Sequence, residues 1–356
     1  FSPLSLSVMN PSELPSISII LTGYNEEDSI EDAIRSVFQQ DYEGPVEIIL
    51  SDDGSSDRTF AVMQEMVLQY DGPYRVVMNR NETSLGLGLH VRKVLDMASH
   101  EWILRQDGDD CSFPWRCRVF AQAVMEHPDA VAVVSQMTRV YEEVGIPFEF
   151  PAFPSAPEDS VRVELQQGPF SSSAHYGGSM MIRKDVYRWN ESLPMTTFFE
   201  DDLIGFYAWL QGNIYELPET SLYYYRFAAK NICAVSSMLR FVDMKTALAF
   251  EKRDTDIQSH LKKSKWTGLE LCEKLLESGT SVFRSREELK AEAAERRKII
   301  DDINHRQNWW NYSFSRRWAL RGKGWMGMAH CLPQKLYLFC MVSFFKLRKI
   351  KKALME

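Results

Sequence analysis

Between Ser16 and Asp110 the chain repeats one unit: a short apolar run that ends in a polar cluster, then a segment with apolar residues at helical spacing. Ile17-Ser18-Ile19-Ile20-Leu21 closes in Thr22-Gly23-Tyr24-Asn25-Glu26, and Val46-Glu47-Ile48-Ile49-Leu50 closes in Ser51-Asp52-Asp53-Gly54-Ser55-Ser56-Asp57. Tyr74 to Met78 is a third run, and Trp102-Ile103-Leu104 leads straight into Asp107-Gly108-Asp109-Asp110. The segments between them, Ser29 to Gln40, Arg58 to Gln69 and Leu87 to Ala98, carry helical periodicity. Strands of this kind alternating with helices predict a parallel sheet covered on both faces. In such open sheets ligands bind outside the carboxyl ends of the strands, where these clusters arrive.

Downstream, a helix is expected over Arg116 to Glu126, strands over Ala130 to Ser135, Tyr176 to Ile182 and Tyr223 to Arg226, and a helix over Asp202 to Leu210. Val144 to Pro169, with its five prolines, reads as a surface loop. Helices over Val235 to Lys252, Trp266 to Ser278 and Arg286 to His305 follow, the last opened by the capping-box pair Ser285 and Glu288. The expected organisation is an N-terminal tail (1–15), an α/β domain (16–226) and a helical C-terminal region (227–356) that ends in a basic amphipathic segment.

Hydrophobic residues make up 45% of the 356 and charged residues 25%, which fits a globular fold and excludes a disordered or collagen-like chain. The six cysteines form no C-x-x-C pair and have no histidine at zinc-finger spacing, so zinc is not expected and a reducing, cytoplasmic setting is. Phe1 to Ser16 lacks the marks of a signal peptide, and no run of eighteen apolar residues occurs. The net charge of −8 divides unevenly: Arg316 to Glu356 carries ten Lys and Arg against one acid, leaving −17 for the rest. That balance disfavours nucleic acid as a partner of the folded part. Pro333 to Leu354 places aromatics ahead of a Lys/Arg cluster, which suits either a helix in an anionic membrane interface or one packed on the core.

The clusters carry the chemistry. Three carboxylates within Asp107 to Asp110 repel one another unless a hard cation such as Mg²⁺ or Mn²⁺ relieves them; the alternative is an acidic turn with Gly108 at positive φ. Asp52 and Asp53 can accept from a uracil imino group or a ribose hydroxyl, while Ser56 or Asp57 caps the next helix. Ser84-Leu85-Gly86-Leu87-Gly88 precedes a helix, yet the first strand lacks G-x-G-x-x-G, so a dinucleotide fold is rejected and the glycines serve close packing or a turn. In Glu200-Asp201-Asp202, beside Phe198-Phe199 and the aromatics Phe206, Tyr207 and Trp209, a desolvated carboxylate suits a general base, with helix capping as the alternative.

In order and spacing these motifs, together with Pro114, Arg116 and Gly212, resemble the family 2 glycosyltransferases over roughly Ser16 to Arg226. The resemblance implies a GT-A fold and inverting transfer from a nucleoside-diphosphate sugar, with UDP-sugars foremost, to a hydroxyl of a glycan or lipid-linked acceptor. It places Thr22, Tyr24, Glu26, Asp52, Asp53, Gly86, Asp107 and Gly108 around the nucleotide sugar. By the same resemblance Asp107 and Asp109 look like the DXD metal motif, with Asp107 facing ribose or metal, Asp201 is expected to be the catalytic base, and Glu200 and Gly178 are expected to lie toward the acceptor. The chain departs from the family at Thr22, Ser84 and His90, where Pro, Asn and Ala are usual, which bears on donor identity. A Q-x-x-R-W motif is absent, so single addition is expected rather than polymerisation. The other readings weighed are a sugar-nucleotide pyrophosphorylase, which needs a basic Gly-rich loop where Thr22 to Asp28 is acidic, and a non-catalytic module of the same fold. A cytoplasmic location is expected, peripheral on the inner face of a membrane if the tail takes the first of its two readings.

Overall fold

The computed structural model describes residues 10–142, 147–157, 161–166, 168, 170, 177–188, 200–227 and 244–307. Four parallel strands open the fold: β1 (Ile17–Gly23), β2 (Val46–Asp52), β3 (Arg75–Arg80) and β4 (Trp102–Asp107), in the order β3-β2-β1-β4. Helices α1 (Ile30–Phe38), α2 (Thr59–Leu68) and α3 (Leu87–Met97) connect them. β1 and β2 are buried along their whole length, the condition in which a strand is apolar on both faces rather than alternating. The chain order reverses between β1 and β4, and register sets Thr22 beside both Ser51 and Asp107. Three of the polar clusters thereby share one edge.

The sheet continues through β8 (Met180–Arg183), β6 (Ala130–Tyr141) and β9 (Asn213–Phe227) to β5 (Cys111–Ser112), with β7 (Glu164–Leu165) also on β9. β8 is antiparallel to β4 and β6, whereas β6 and β9 pair in parallel, so the long pairings are the parallel ones. α4 (Arg116–Glu126) precedes β6, the short α5 (Lys184–Arg188) follows β8, and α6 (Glu200–Gln211) leads into β9. A strand expected only over Tyr223 to Arg226 is thus the end of a 15-residue strand. Its first half was hidden by Pro218, which the ladder accommodates because the register jumps from Ser135–Leu217 to Gln136–Ser221.

Successive residues of β1 pack to opposite sides. Ile19 and Leu21 join Ile34, Val37, Met63 and Phe120 beneath α1, α2 and α4. Ile20 joins Ile49, Ile103, Val91 and Phe206 beneath α3 and α6. The second cluster extends into α7 (Met244–Ser278) and α8 (Arg286–Gln307) through Leu269, Cys272, Leu275, Leu289 and Ala293. The separate helices expected before Lys252 and after Trp266 are one 35-residue helix, since no Gly or Pro interrupts 244–267; residues 235–243 lie outside the described part. α8 starts as predicted: the Glu288 backbone N–H donates to Ser285 Oγ at 3.2 Å, and the Ser285 N–H donates to Glu288 Oε2 at 2.9 Å. Cys111, Cys117 and Cys272 are buried free thiols. Among the described residues no helix is long and apolar enough to cross a membrane, and the basic segment Pro333 to Leu354 lies outside them.

Candidate functional site

The carboxyl ends of β1, β2 and β4 and the start of α6 enclose a cavity of about 560 Å³. Of the residues predicted for a site, Thr22, Tyr24, Glu26, Asp53, Gly86, Asp107, Asp109, Gly178, Glu200 and Asp201 line it, and Asp52 and Gly108 do not. A second hollow of about 600 Å³ holds none of them; it is walled by Ser99, Glu101, Arg183 and Asp185, whose Arg183 and Asp185 pair with each other.

Along the end of β4 the side chains alternate. Gln106 turns inward, its amide nitrogen donating to Ser36 Oγ and to the Asp110 carbonyl, both at 3.0 Å. Asp107 faces the cavity and receives Arg105 Nη2 at 2.8 Å. Asp110 turns away and accepts from the Arg226 N–H at 3.0 Å; burial, then the nearby Asp109 and Asp107, push its carboxyl well above the usual range. Two acids of the cluster are therefore presented to a ligand. Gly108 does not line the cavity, and a Cβ there would stand 2.8 Å from Ile30 Cδ1 and 3.0 Å from Glu26 Oε2. Its need is room, and its φ is not among the positive ones expected for an acidic turn. Among the described residues no three His, Cys, Asp or Glu side chains converge as a closed metal cage. A pair of carboxylates at an open wall is nonetheless the donor set on which Mg²⁺ or Mn²⁺ binds when substrate phosphates complete the shell.

Asp52 is wholly buried off the cavity wall, accepting from the Ser55 N–H at 3.0 Å and pairing with Arg80 at 3.4 Å, contacts that hold the loop. Asp53 does reach the cavity, but its carboxylate already accepts from Asn81 Nδ2 (2.7 Å), Ser84 Oγ (2.7 Å) and the N–H groups of Leu85 (2.9 Å) and Gly86 (3.0 Å). Burial opposes its ionisation and these donors overcome it, holding its carboxyl below the usual value. Four donors occupy the accepting positions of a carboxylate, so Asp53 shapes the Ser84–Gly86 loop that bears on the cavity. Gly86 has φ of +80° and sits at the N-terminus of α3. Asp57, not Ser56, serves the next helix, its Oδ1 accepting from the Thr59 N–H at 2.9 Å. Tyr24 stands half exposed at the rim.

The opposite wall is the first turn of α6. Glu200 is buried and receives Arg105 Nη1, while its Oε2 has no partner among the described residues. Burial raises its carboxyl to about 8, against the pull of Arg105. Asp201 accepts from the Gly177 N–H at 3.2 Å and the Asp202 N–H at 2.8 Å. Burial raises it to about 6, with Arg105 opposing and Asp202 reinforcing. Phe198 and Phe199, expected to desolvate this turn, lie outside the described residues.

Sequence reasoning missed Arg105, Tyr223 and Tyr225 as cavity residues. The signal for Arg105 was present: a lone cation ends the apolar run Trp102-Ile103-Leu104, and a buried cation needs acids facing it. His90, noted only as a departure, also lines the cavity, its Nε2 at 2.6 Å from Ser51 Oγ.

Residues 18–188 match the family model described as Glycosyl transferase family 2. They form a family 2 glycosyltransferase domain. Among curated proteins, the chain is 31% identical over 174 residues to the putative glycosyltransferase EpsE of Bacillus subtilis, covering 49% of the chain and 58% of that relative. The chain thus spans under two thirds of the relative's length. Among solved structures, S. aureus TarS 1-349 in complex with UDP-GlcNAc aligns at a TM-score of 0.53 and 16% identity, over 93% of this chain and 89% of that one. The mannosyltransferase PcManGT from Pyrobaculum calidifontis, in complex with GDP-Man and Mn²⁺, aligns at 0.53 and 15% identity, over 97% and 88%. The fold is GT-A. The family 2 domain as matched contains Thr22 to Asp109 and Gly178, while Glu200 and Asp201 follow it in the chain.

Proposed function

We propose that this chain is an inverting glycosyltransferase that moves a sugar from a nucleoside diphosphate to a hydroxyl of a glycan or lipid-linked acceptor. The observation that carries the reading is one cavity lined on one side by Asp107 and Asp109 and on the other by Asp201, a carboxyl whose proton affinity is raised. UDP-sugars are the first donors to test, because a structural neighbour holds UDP-GlcNAc; the GDP-Man of the other neighbour is the second choice.

Thr22, Tyr24, Glu26 and the Gly86 loop border the space for the nucleoside. Asp109 and Asp107 would hold Mn²⁺ or Mg²⁺, which when bound offsets the negative charge of a diphosphate. Asp201, ionised, takes the proton of the acceptor hydroxyl as that oxygen bonds to the anomeric carbon. The bond from that carbon to the phosphate oxygen breaks, its electron pair leaves on the diphosphate, and attack from the opposite face inverts the centre. Gly178 and Glu200 wall the acceptor side, with Glu200 held by Arg105.

Calorimetric titration of UDP with and without Mn²⁺, repeated on Asp109→Ala, tests the donor half. Metal-dependent binding that disappears in the variant is expected. Failure of UDP, GDP and dTDP alike to bind would leave a non-catalytic module as the function of this fold.

A further inference from the structure

The acidic triplet at the start of α6 contains one acid more than the reaction uses. Glu200 is held from the sheet by Arg105, and Asp201 meets backbone N–H groups, with no ion pair to it among the described residues. Asp202 is held from the other direction. Its Oδ1 receives Lys265 Nζ at 2.5 Å, and its Oδ2 receives Ser264 Oγ at 2.6 Å and Arg296 Nη1 at 3.5 Å. Lys265 lies on α7 and Arg296 on α8, so both arms of the C-terminal helical pair grip one carboxylate.

The grip is built into the core. Arg296 is fully buried, lies 4.1 Å over the Phe206 ring of α6 and donates to the buried Glu292 at 2.7 Å. Gly268 makes room for it, since a Cβ there would collide with the guanidinium. Burying two cations and two carboxylates seldom adds stability over an apolar filling of the same volume, because desolvation consumes the attraction. The partners of the Asp202 carboxylate are side chains of α7 and α8 and not N–H groups of the α6 start, so capping does not account for it either. Both arguments leave the direction of the α6 turn as what this network determines.

We propose that Asp202, clamped by Lys265 and Arg296, is a positioning residue by which the α7–α8 pair fixes the first turn of α6 and so aims Asp201 into the cavity. The role of Asp201 in this inference rests on the transfer reading above; the clamp itself does not.

The test uses the full chain with UDP-GlcNAc and Mn²⁺ as probe, following UDP release, UDP binding and amide hydrogen exchange of residues 200–204. Lys265→Met and Asp202→Asn are expected to lower kcat about tenfold to a hundredfold, as displacement of a reacting group does. KM for UDP-GlcNAc and the Kd for UDP stay within about twofold, since the donor wall is untouched. Exchange at 200–204 quickens in both, and Lys265→Arg restores most of the rate. Arg297→Met, which breaks the exposed Arg297–Glu273 pair between the same helices, leaves kcat and the exchange of 200–204 unchanged. Unaltered exchange in Lys265→Met and Asp202→Asn overturns the clamp, and so does a fall in kcat matched by equal loss of UDP affinity. A parent chain that binds none of UDP, GDP and dTDP and releases no UDP from UDP-GlcNAc overturns the transfer reading instead, while the exchange measurement still decides the clamp.

Discussion

Asp201 and Asp202 are chain neighbours with opposite proton affinities, and the cause is which cations reach them. Burial raises Asp201 to about 6, whereas Arg296 and Lys265 overcome burial at Asp202 and hold it at about 2. A base must be ionised, so transfer should be lost as pH falls through about 6, well above the range in which an ordinary aspartate protonates. A pH–rate profile checks this. Asp201→Asn should remove roughly 10²- to 10⁴-fold of the rate while UDP still binds. For stability the sign at Asp202 is the reverse of that at Asp201. Its depressed carboxyl contributes stability that is present above its ordinary value of 3.8 and is lost as pH falls toward about 2. Asp53→Ala should act on the donor side instead: with the Ser84–Gly86 loop released, KM for the donor rises more than kcat falls.

At the scale of elements, the N-terminal half was legible and the C-terminal half less so. β1 to β4 and α1 to α4 follow from apolar periodicity and Gly/Pro punctuation, because β1, β2 and β4 carry the near-continuous apolar runs of strands covered on both faces. β9 was hidden since Pro218 and Glu219 sit in a register jump that sequence pattern reads as a break. α7 was split since its middle is charged and polar, although charge does not end a helix. At the site, the presence of the acids was legible but not their division of labour. Nothing in Asp52-Asp53 says that one is sealed against Arg80 and the other filled by four donors, because those partners come from Arg80 to Gly86 in space. The capping box of α8 was readable because it is local. Ser285→Ala should cost about 1 kcal/mol in chemical denaturation. Gly268→Ala should cost more, about 1–3 kcal/mol by overpacking, because Arg296 is buried and cannot swing aside.

Taken whole, the molecule has two cores divided by one sheet, and the C-terminal helices belong to the second. Leu269→Ala, on α7, should therefore cost roughly 2–5 kcal/mol and lower the unfolding temperature of the sheet with it. A circular-dichroism melt that showed two separate transitions would instead make the helical pair an independent unit. The cavity at the sheet edge has a charge balance of its own: Glu26, Asp53, Asp107, Asp109, Glu200 and Asp201 face it, against Arg105 among the described residues. A diphosphate approaching that wall is repelled until something positive has arrived there. On the proposed reaction the cation and the nucleotide sugar therefore support each other's arrival, each raising the affinity for the other. Raising the cation concentration should then lower the apparent KM of the donor, and raising the donor concentration should tighten the cation.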